Sequence, residues 1–274
     1  MTAMVHVPAY LWALVLAGTV GITALTGFVL YRGALLAGSG GRGAVRLGVG
    51  SVLLIGGWFT VSGVIAGQGG YLSGHGRLPG LPFAFAGALV AMVAATLLPL
   101  VARALAAPGM LSRLELPHTF RVVGAAFLIM MALGHLPALF AVPAGVGDIL
   151  TGIAAPFVAR RVAKGGGHRV ALWFNAFGMA DLIAALTLAI LTGLHAFSVS
   201  PSSKAITELP LALIPTAAVP LLFTLHITSV RRLLAVERKR RSTLGGAGLG
   251  APSLTTVLPL AGGPVHHLGR QGEK

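Results

Sequence analysis

Long apolar stretches alternate with short polar links along the whole chain. The stretches run from about Pro8 to Leu30, Leu47 to Gly67, Pro82 to Ala102, Arg121 to Leu139, Val142 to Ala159, Val170 to Leu194 and Pro210 to Val230. Each is close to the ~20 residues that a helix needs to cross ~30 Å of hydrocarbon. Lipid offers no partner for backbone N–H and C=O groups, so the crossing elements must be helices. The pattern predicts an all-α, polytopic membrane bundle of seven transmembrane helices over residues 1–230. A basic juxtamembrane segment follows at 231–241, then a tail at 242–274 whose Gly-, Pro- and Ser-rich composition predicts disorder.

The apolar run from Val122 to Ala159 is long enough for one bent crossing or two short ones. The placement of cations decides between them. Arg32, Arg42 and Arg46 follow the first stretch, Arg77 the second, and Arg103, Arg113 and Arg121 the third. The link after the fourth has none; Arg160, Arg161, Lys164 and Arg169 follow the fifth, and Lys204 the sixth. Arg231, Arg232, Arg238, Lys239, Arg240, Arg241, Arg270 and Lys274 follow the seventh. With two crossings, eighteen of the twenty cations fall on one side. Cytoplasmic loops carry such an excess. The expected arrangement is therefore a cell-membrane protein with its N-terminus outside and its C-terminus in the cytoplasm. The first helix lacks a basic n-region and a small-residue cleavage site, and reads as retained.

Composition narrows the function. The chain is 55% hydrophobic and 9% charged, with a formal net charge of +14 and no cysteine. Soluble domains are about a quarter charged. The positive charge records loop asymmetry, and no aromatic residues interleave with the basic ones to stack on bases, so nucleic acid is not an expected partner. Thiolate chemistry and disulfides are excluded, and no cofactor or metal is called for. The expected partners are the bilayer itself and anionic lipid at Arg231–Arg241, where each cation near such a surface contributes about 1 kcal/mol. A homo-oligomer or another membrane protein remains open, because Gly63 and Gly67 form a GxxxG spacing and Gly18 and Gly21 lie close together.

The candidate chemistry lies in the polar residues of the apolar stretches. Two carboxylates fall there, Asp148 and Asp181; Glu115, Glu208, Glu237 and Glu273 are assigned to links, an interface or the tail. An Asp near mid-bilayer costs about 2.5–3.5 kcal/mol. An interhelical hydrogen bond returns only about 0.6–2 kcal/mol. A turn near Phe140 would set His135 opposite Asp148, with Thr151 on the same helix face as Asp148. Asp181, Asn175 and His226 then continue inward as a polar ladder. Asp and His chains of this kind serve proton relays. The leading expectation is translocation or sensing of a small solute or proton through His135, Asp148, Thr151, Asp181, Asn175 and His226.

Two other readings stand beside it. Gly145-Val146-Gly147-Asp148 is a GxGD string that resembles the motif of intramembrane aspartyl proteases, which would make Asp148 and Asp181 catalytic. The order of the Pro137-Ala138-Leu139 tripeptide and the second Asp departs from that family, and Ala180 stands where a tyrosine is expected. The last reading is a non-catalytic assembly subunit. No helix-7 lysine for retinal, no DRY or NPxxY string, no HExxH, no GxSxG and no Walker loop is present. His135 and His226 lie at depths too different for haem.

Arg121-Val122-Val123-Gly124-Ala125, Leu136-Pro137, Pro143-Ala144-Gly145-Val146-Gly147-Asp148, Asn175 with Asp181, and Leu209-Pro210 through Pro220 together resemble a group of uncharacterised bacterial multi-pass membrane proteins. The resemblance covers roughly the second half of the chain. It implies a bacterial inner membrane and no particular activity.

Overall fold

The computed structural model describes residues 7–72, 80–193 and 199–248. Among them the fold is all-helical. The α-helices are α1 Ala9–Leu36, α2 Gly40–Gly67, α3 Gly80–Ala95, α4 Pro99–Ala106, α5 Met110–Leu114, α6 Ala125–Ala132, α7 Ala138–Ala163, α8 His168–Gly193 and α9 Val219–Gly248. Short 3-10 helices occupy Leu116–Gly124 and Ser203–Thr207, and a π-helical turn spans Ile214–Ala218. Six helical segments are long and apolar enough to cross a membrane, or seven if α3 and α4 form one bent span.

That third span is not the single straight helix expected from Pro82 to Ala102. It breaks after Ala95 and bends by 74° into α4. The cause is Pro99 at the first turn of α4, with Leu98 before it at an extended ψ of 134°. A residue preceding proline is pushed out of the α region, and proline cannot donate to the turn before it.

The run between residues 122 and 159 forms two helical arms, as the cation count requires. The turn, however, lies at Gly134–Pro137 rather than near Phe140. Asp148 therefore sits about 15 Å down α7 from its first residue, at 1.5 Å per residue. His135 stays at the turn, half-buried, its backbone N–H donating to the Met130 carbonyl at 2.9 Å. The two do not face each other.

Two long-range devices hold the bundle together. The segment Ile214–Arg238 is the most enclosed, with 61% of its span window buried. Pro220 has no N–H to offer the Thr216 carbonyl one turn earlier. The Trp58 indole donates to that carbonyl instead, at 2.9 Å. Beside it, the Ser62 hydroxyl bonds both the Thr216 and the Tyr71 hydroxyls. Trp173, which opens a Trp-Phe-x-x-x-Gly string on α8 like that of Trp58 on α2, is 75% exposed and has no such bond. The GxxxG face is used inside the chain: Gly63 looks onto Leu213 and Gly67 onto Leu209.

The outside of the bundle is as apolar as the inside. Leu54, Leu53, Val90, Phe157 and Trp173 are all more than half exposed. The chain divides into two units, residues up to Val236 and residues from Glu237 onward. In the second, the helix continues through Ser242 to Gly248; the remainder of the expected disordered tail, with His266 and His267, lies outside the described residues, as does Arg77.

Candidate functional site

One arginine organises the polar interior. Arg121 opens the fourth apolar stretch in the sequence and was expected at the cytoplasmic interface with the other loop cations. It is instead 2% exposed. Its Nε donates to Asp148 Oδ1 at 2.7 Å, and its Nη2 to Asp181 Oδ2. Its Nη1 donates to the Gly178 carbonyl at 3.2 Å and lies 3.3 Å from His226 Nε2. Asp148 and Asp181, thirty-three residues apart, thus grip one guanidinium from α7 and α8. Removing Arg121 from the loop tally leaves seventeen of the nineteen remaining cations in the links expected on one side.

A second branch leaves Arg121 through the imidazole. Guanidinium can only donate. His226 Nε2 must therefore accept from it, which places the ring proton on Nδ1. Nδ1 then donates to Asn175 Oδ1 at 2.8 Å. The Asn175 amide nitrogen donates in turn to Glu115 Oε1 at 2.9 Å and to the Ala171 carbonyl at 2.8 Å. The Ser229 hydroxyl donates to the same Glu115 oxygen. His118 stacks on His226 with ring centroids 3.9 Å apart and an interplanar angle of 23°. Glu115, His118, Asn175 and His226 are all fully buried.

Local winding explains how these groups converge. Glu115, His118 and Arg121 are spaced by three, on or just before the 3-10 helix Leu116–Gly124. In that geometry residues three apart eclipse, so all three point one way. Asn175, Gly178 and Asp181 repeat the spacing on α8, and His226 and Ser229 on α9. Two glycines permit the close approach. A Cβ on Gly147 would collide with the Asp181 carboxylate, and one on Gly178 would come within 2.5 Å of the His226 ring. This gives the GxGD string a packing role: Gly147 admits Asp181 beside Asp148, and Gly145 packs on Leu128.

Of the residues singled out from sequence, the structure brings together Asp148, Asp181, Asn175 and His226. Thr151 turns away and donates to the Gly147 carbonyl of its own helix at 2.8 Å. His135 is no part of the cluster. Three members were missed: Arg121, Glu115 and His118. The signal that could have found them is their period of three within an otherwise apolar segment. The count of two carboxylates in the apolar interior is accordingly corrected to three.

A cavity of about 30 Å³ adjoins the ion pair, lined by Arg121, Asp148, Thr19 and Ile22 among others. It has room for about one water molecule. Ile214 and Ala218, the two ends of the π-helical turn, also line it. Such turns are frequent at functional sites. Among the described residues, no group of three or more His, Asp or Glu side chains is placed to hold a metal ion. In the basic segment after α9 begins, Arg232 donates to the Ala106 carbonyl at the end of α4, at 2.9 Å.

No curated protein and no solved structure matches the chain. A family model does match, over residues 78–234, which contain every member of the cluster and more than half of the chain. The protein belongs to the family described as domain of unknown function DUF8737.

Proposed function

We propose that the protein is a multi-pass protein of the cell membrane, N-terminus outside and C-terminus in the cytoplasm, that moves or senses protons or a small cationic solute at its buried carboxylate pair. Its apolar exterior and the one-sided distribution of cations support the membrane reading. Large exposed apolar patches are rare on proteins surrounded by water.

The observation that carries the functional reading is the count of charges. One guanidinium lies between two carboxylates in a low-dielectric interior. A single positive charge cannot neutralise both, and the surplus negative charge favours a proton or a small cation beside Asp148 or Asp181. The adjoining cavity supplies space for a water next to Asp148. Beyond the loss of His135 and Thr151, the ladder expected from sequence is revised in one further respect. Arg121 is never deprotonated, so it separates the Asp148–Asp181 pair from the His226–Asn175–Glu115 branch and no single proton wire joins them. The protease alternative is less well supported, because two catalytic aspartates share a proton, whereas these two share a guanidinium.

The test is proton-coupled flux in proteoliposomes, read with a trapped pH dye under an imposed potential. Asp148→Asn and Asp181→Asn each leave one carboxylate for one guanidinium, so the fold should persist. Each should slow flux at least tenfold. Unchanged flux in both would remove the proposal. The assembly reading draws on the fact that every nitrogen of Arg121 is already used within the bundle. It predicts that the same variants change stability or complex formation alone.

A further inference from the structure

The hairpin of α1 and α2 carries a groove on its outer face, and this inference rests on the membrane reading above. The groove has a volume of about 260 Å³ and is lined by Gly27, Phe28 and Tyr31 of α1 and by Val45, Val49 and Leu53 of α2, with neighbours. Its walls are almost wholly apolar. It exists because α1 and α2 cross closely, with Gly27 against Val52 and the Gly48 carbonyl.

One end of this groove is basic. On α2, Arg42, Val45, Arg46, Val49 and Leu53 recur at intervals of three and four, which sets them on one helix face. On α1, Phe28 and Arg32 are one turn apart. The hairpin turns at residues 37–39, so Arg32, Arg42 and Arg46 all lie within about two helical turns of its closed end. All three are exposed, and none forms an ion pair among the described residues. By the cation count this is the cytoplasmic side. An apolar trough ending in three guanidinium groups is complementary to a molecule with a hydrocarbon tail and a negative head.

We propose that the α1–α2 groove is a binding site for an anionic phospholipid. Its phosphate sits among Arg32, Arg42 and Arg46, and one acyl chain lies along Val45, Val49 and Leu53 against Phe28. Arginine suits the task because its planar fork bonds phosphate oxygens two at a time. Each cation near such a headgroup is worth roughly fivefold in affinity. This site is separate from the basic segment at Arg231–Arg241.

Native mass spectrometry of the full chain, released from micelles doped with phosphatidylglycerol or phosphatidylcholine, tests it. The parent protein should retain phosphatidylglycerol at least tenfold more than phosphatidylcholine. R32Q/R42Q/R46Q should abolish the preference. Val49→Trp, which keeps the charges and fills the trough, should lower occupancy by both lipids. R238Q/K239Q/R240Q/R241Q should leave the preference in place, and excess inorganic phosphate should not displace the lipid. Equal retention of the two lipids would overturn the site, as would loss of preference in the tail variant alone or displacement by phosphate. High-yield disulfide dimers of Val49→Cys in lipid-replete bilayers would assign the face to a second copy instead. Carbonate extraction separates the two levels of argument. A chain that washes off membranes refutes the membrane reading, whereas one that resists extraction yet shows no lipid preference refutes only the groove.

Discussion

Replacing Arg121 with methionine is the sharpest probe of the buried cluster. The substitution keeps an unbranched side chain in the same space and removes the charge together with its bonds to Asp148, Asp181 and the Gly178 carbonyl. Removing one partner of a buried ion pair costs about 3–5 kcal/mol, because the remaining charge is left uncompensated. Here two carboxylates lose their shared cation at once, so the upper half of that range is expected. Domains are typically stable by about 5–15 kcal/mol. At about 2–4 °C per kcal/mol for a chain of this size class, the melting temperature in detergent should fall by roughly 10–20 °C. Arg161→Met, on an exposed position of α7, is the matched control and should shift it by less than about 2 °C, as surface substitutions usually cost under about 0.5 kcal/mol. The triple variant R121M/D148N/D181N removes both signs together and should regain at least half of the loss, since a buried charged triad is often replaceable at little cost. If R121M melts with the control, the guanidinium is not the hub described here. If the triple variant is no better than R121M, uncompensated charge is not the source of the loss.

Other outcomes follow from the same geometry. Asn175→Ala removes the amide that joins His226 to Glu115 and should cost about 1–3 kcal/mol in the same melt, the penalty for leaving buried partners unmet; a loss below about 0.5 kcal/mol would mean the branch is not formed. Gly147→Ala drives a methyl group into the Asp181 carboxylate and should destabilise by about 1–3 kcal/mol, as overpacking does, and should also lower flux; parental behaviour in both assays would show that α7 and α8 are not in such close contact. His135→Ala should change neither stability nor flux, and a tenfold loss of flux would restore it to the path.

Most of the architecture was legible because long unbroken apolar length is a simple signal of a buried or membrane-crossing helix. Unbroken apolar length marked α1, α2, α7 and α8, although α1 runs six residues past its expected end and α2 begins seven before its expected start. Two features escaped for physical reasons. The bend at Pro99 is a local backbone effect inside a stretch whose hydropathy never drops. The misplacement of Arg121, and of Glu115 in the link before it, came from the cation rule itself, and His118 was passed over. A buried arginine at the margin of an apolar stretch has the same sequence signature as a loop arginine, and only its partners distinguish the two. Asp148, Asp181 and Asn175 were recognisable because a polar group inside a long apolar stretch is costly unless it is paired. Their convergence was not, because it depends on which faces the helices turn toward one another. His135 failed because the turn was expected near Phe140, between Pro137 and Pro143, and lies about four residues earlier, which is more than one helical turn.

The tight winding of residues 116–124 couples pitch to charge. Nine residues rise about 18 Å at the 3-10 spacing and about 13.5 Å at the α spacing. Rewinding would also rotate Arg121 by about 120° about the axis relative to Glu115, since each step of three then falls short of a full circle by about 60°. Such a screw motion would withdraw the guanidinium from both aspartates while the glutamate kept its bearing. Shortening this rod and uncoupling the acids are therefore one and the same movement.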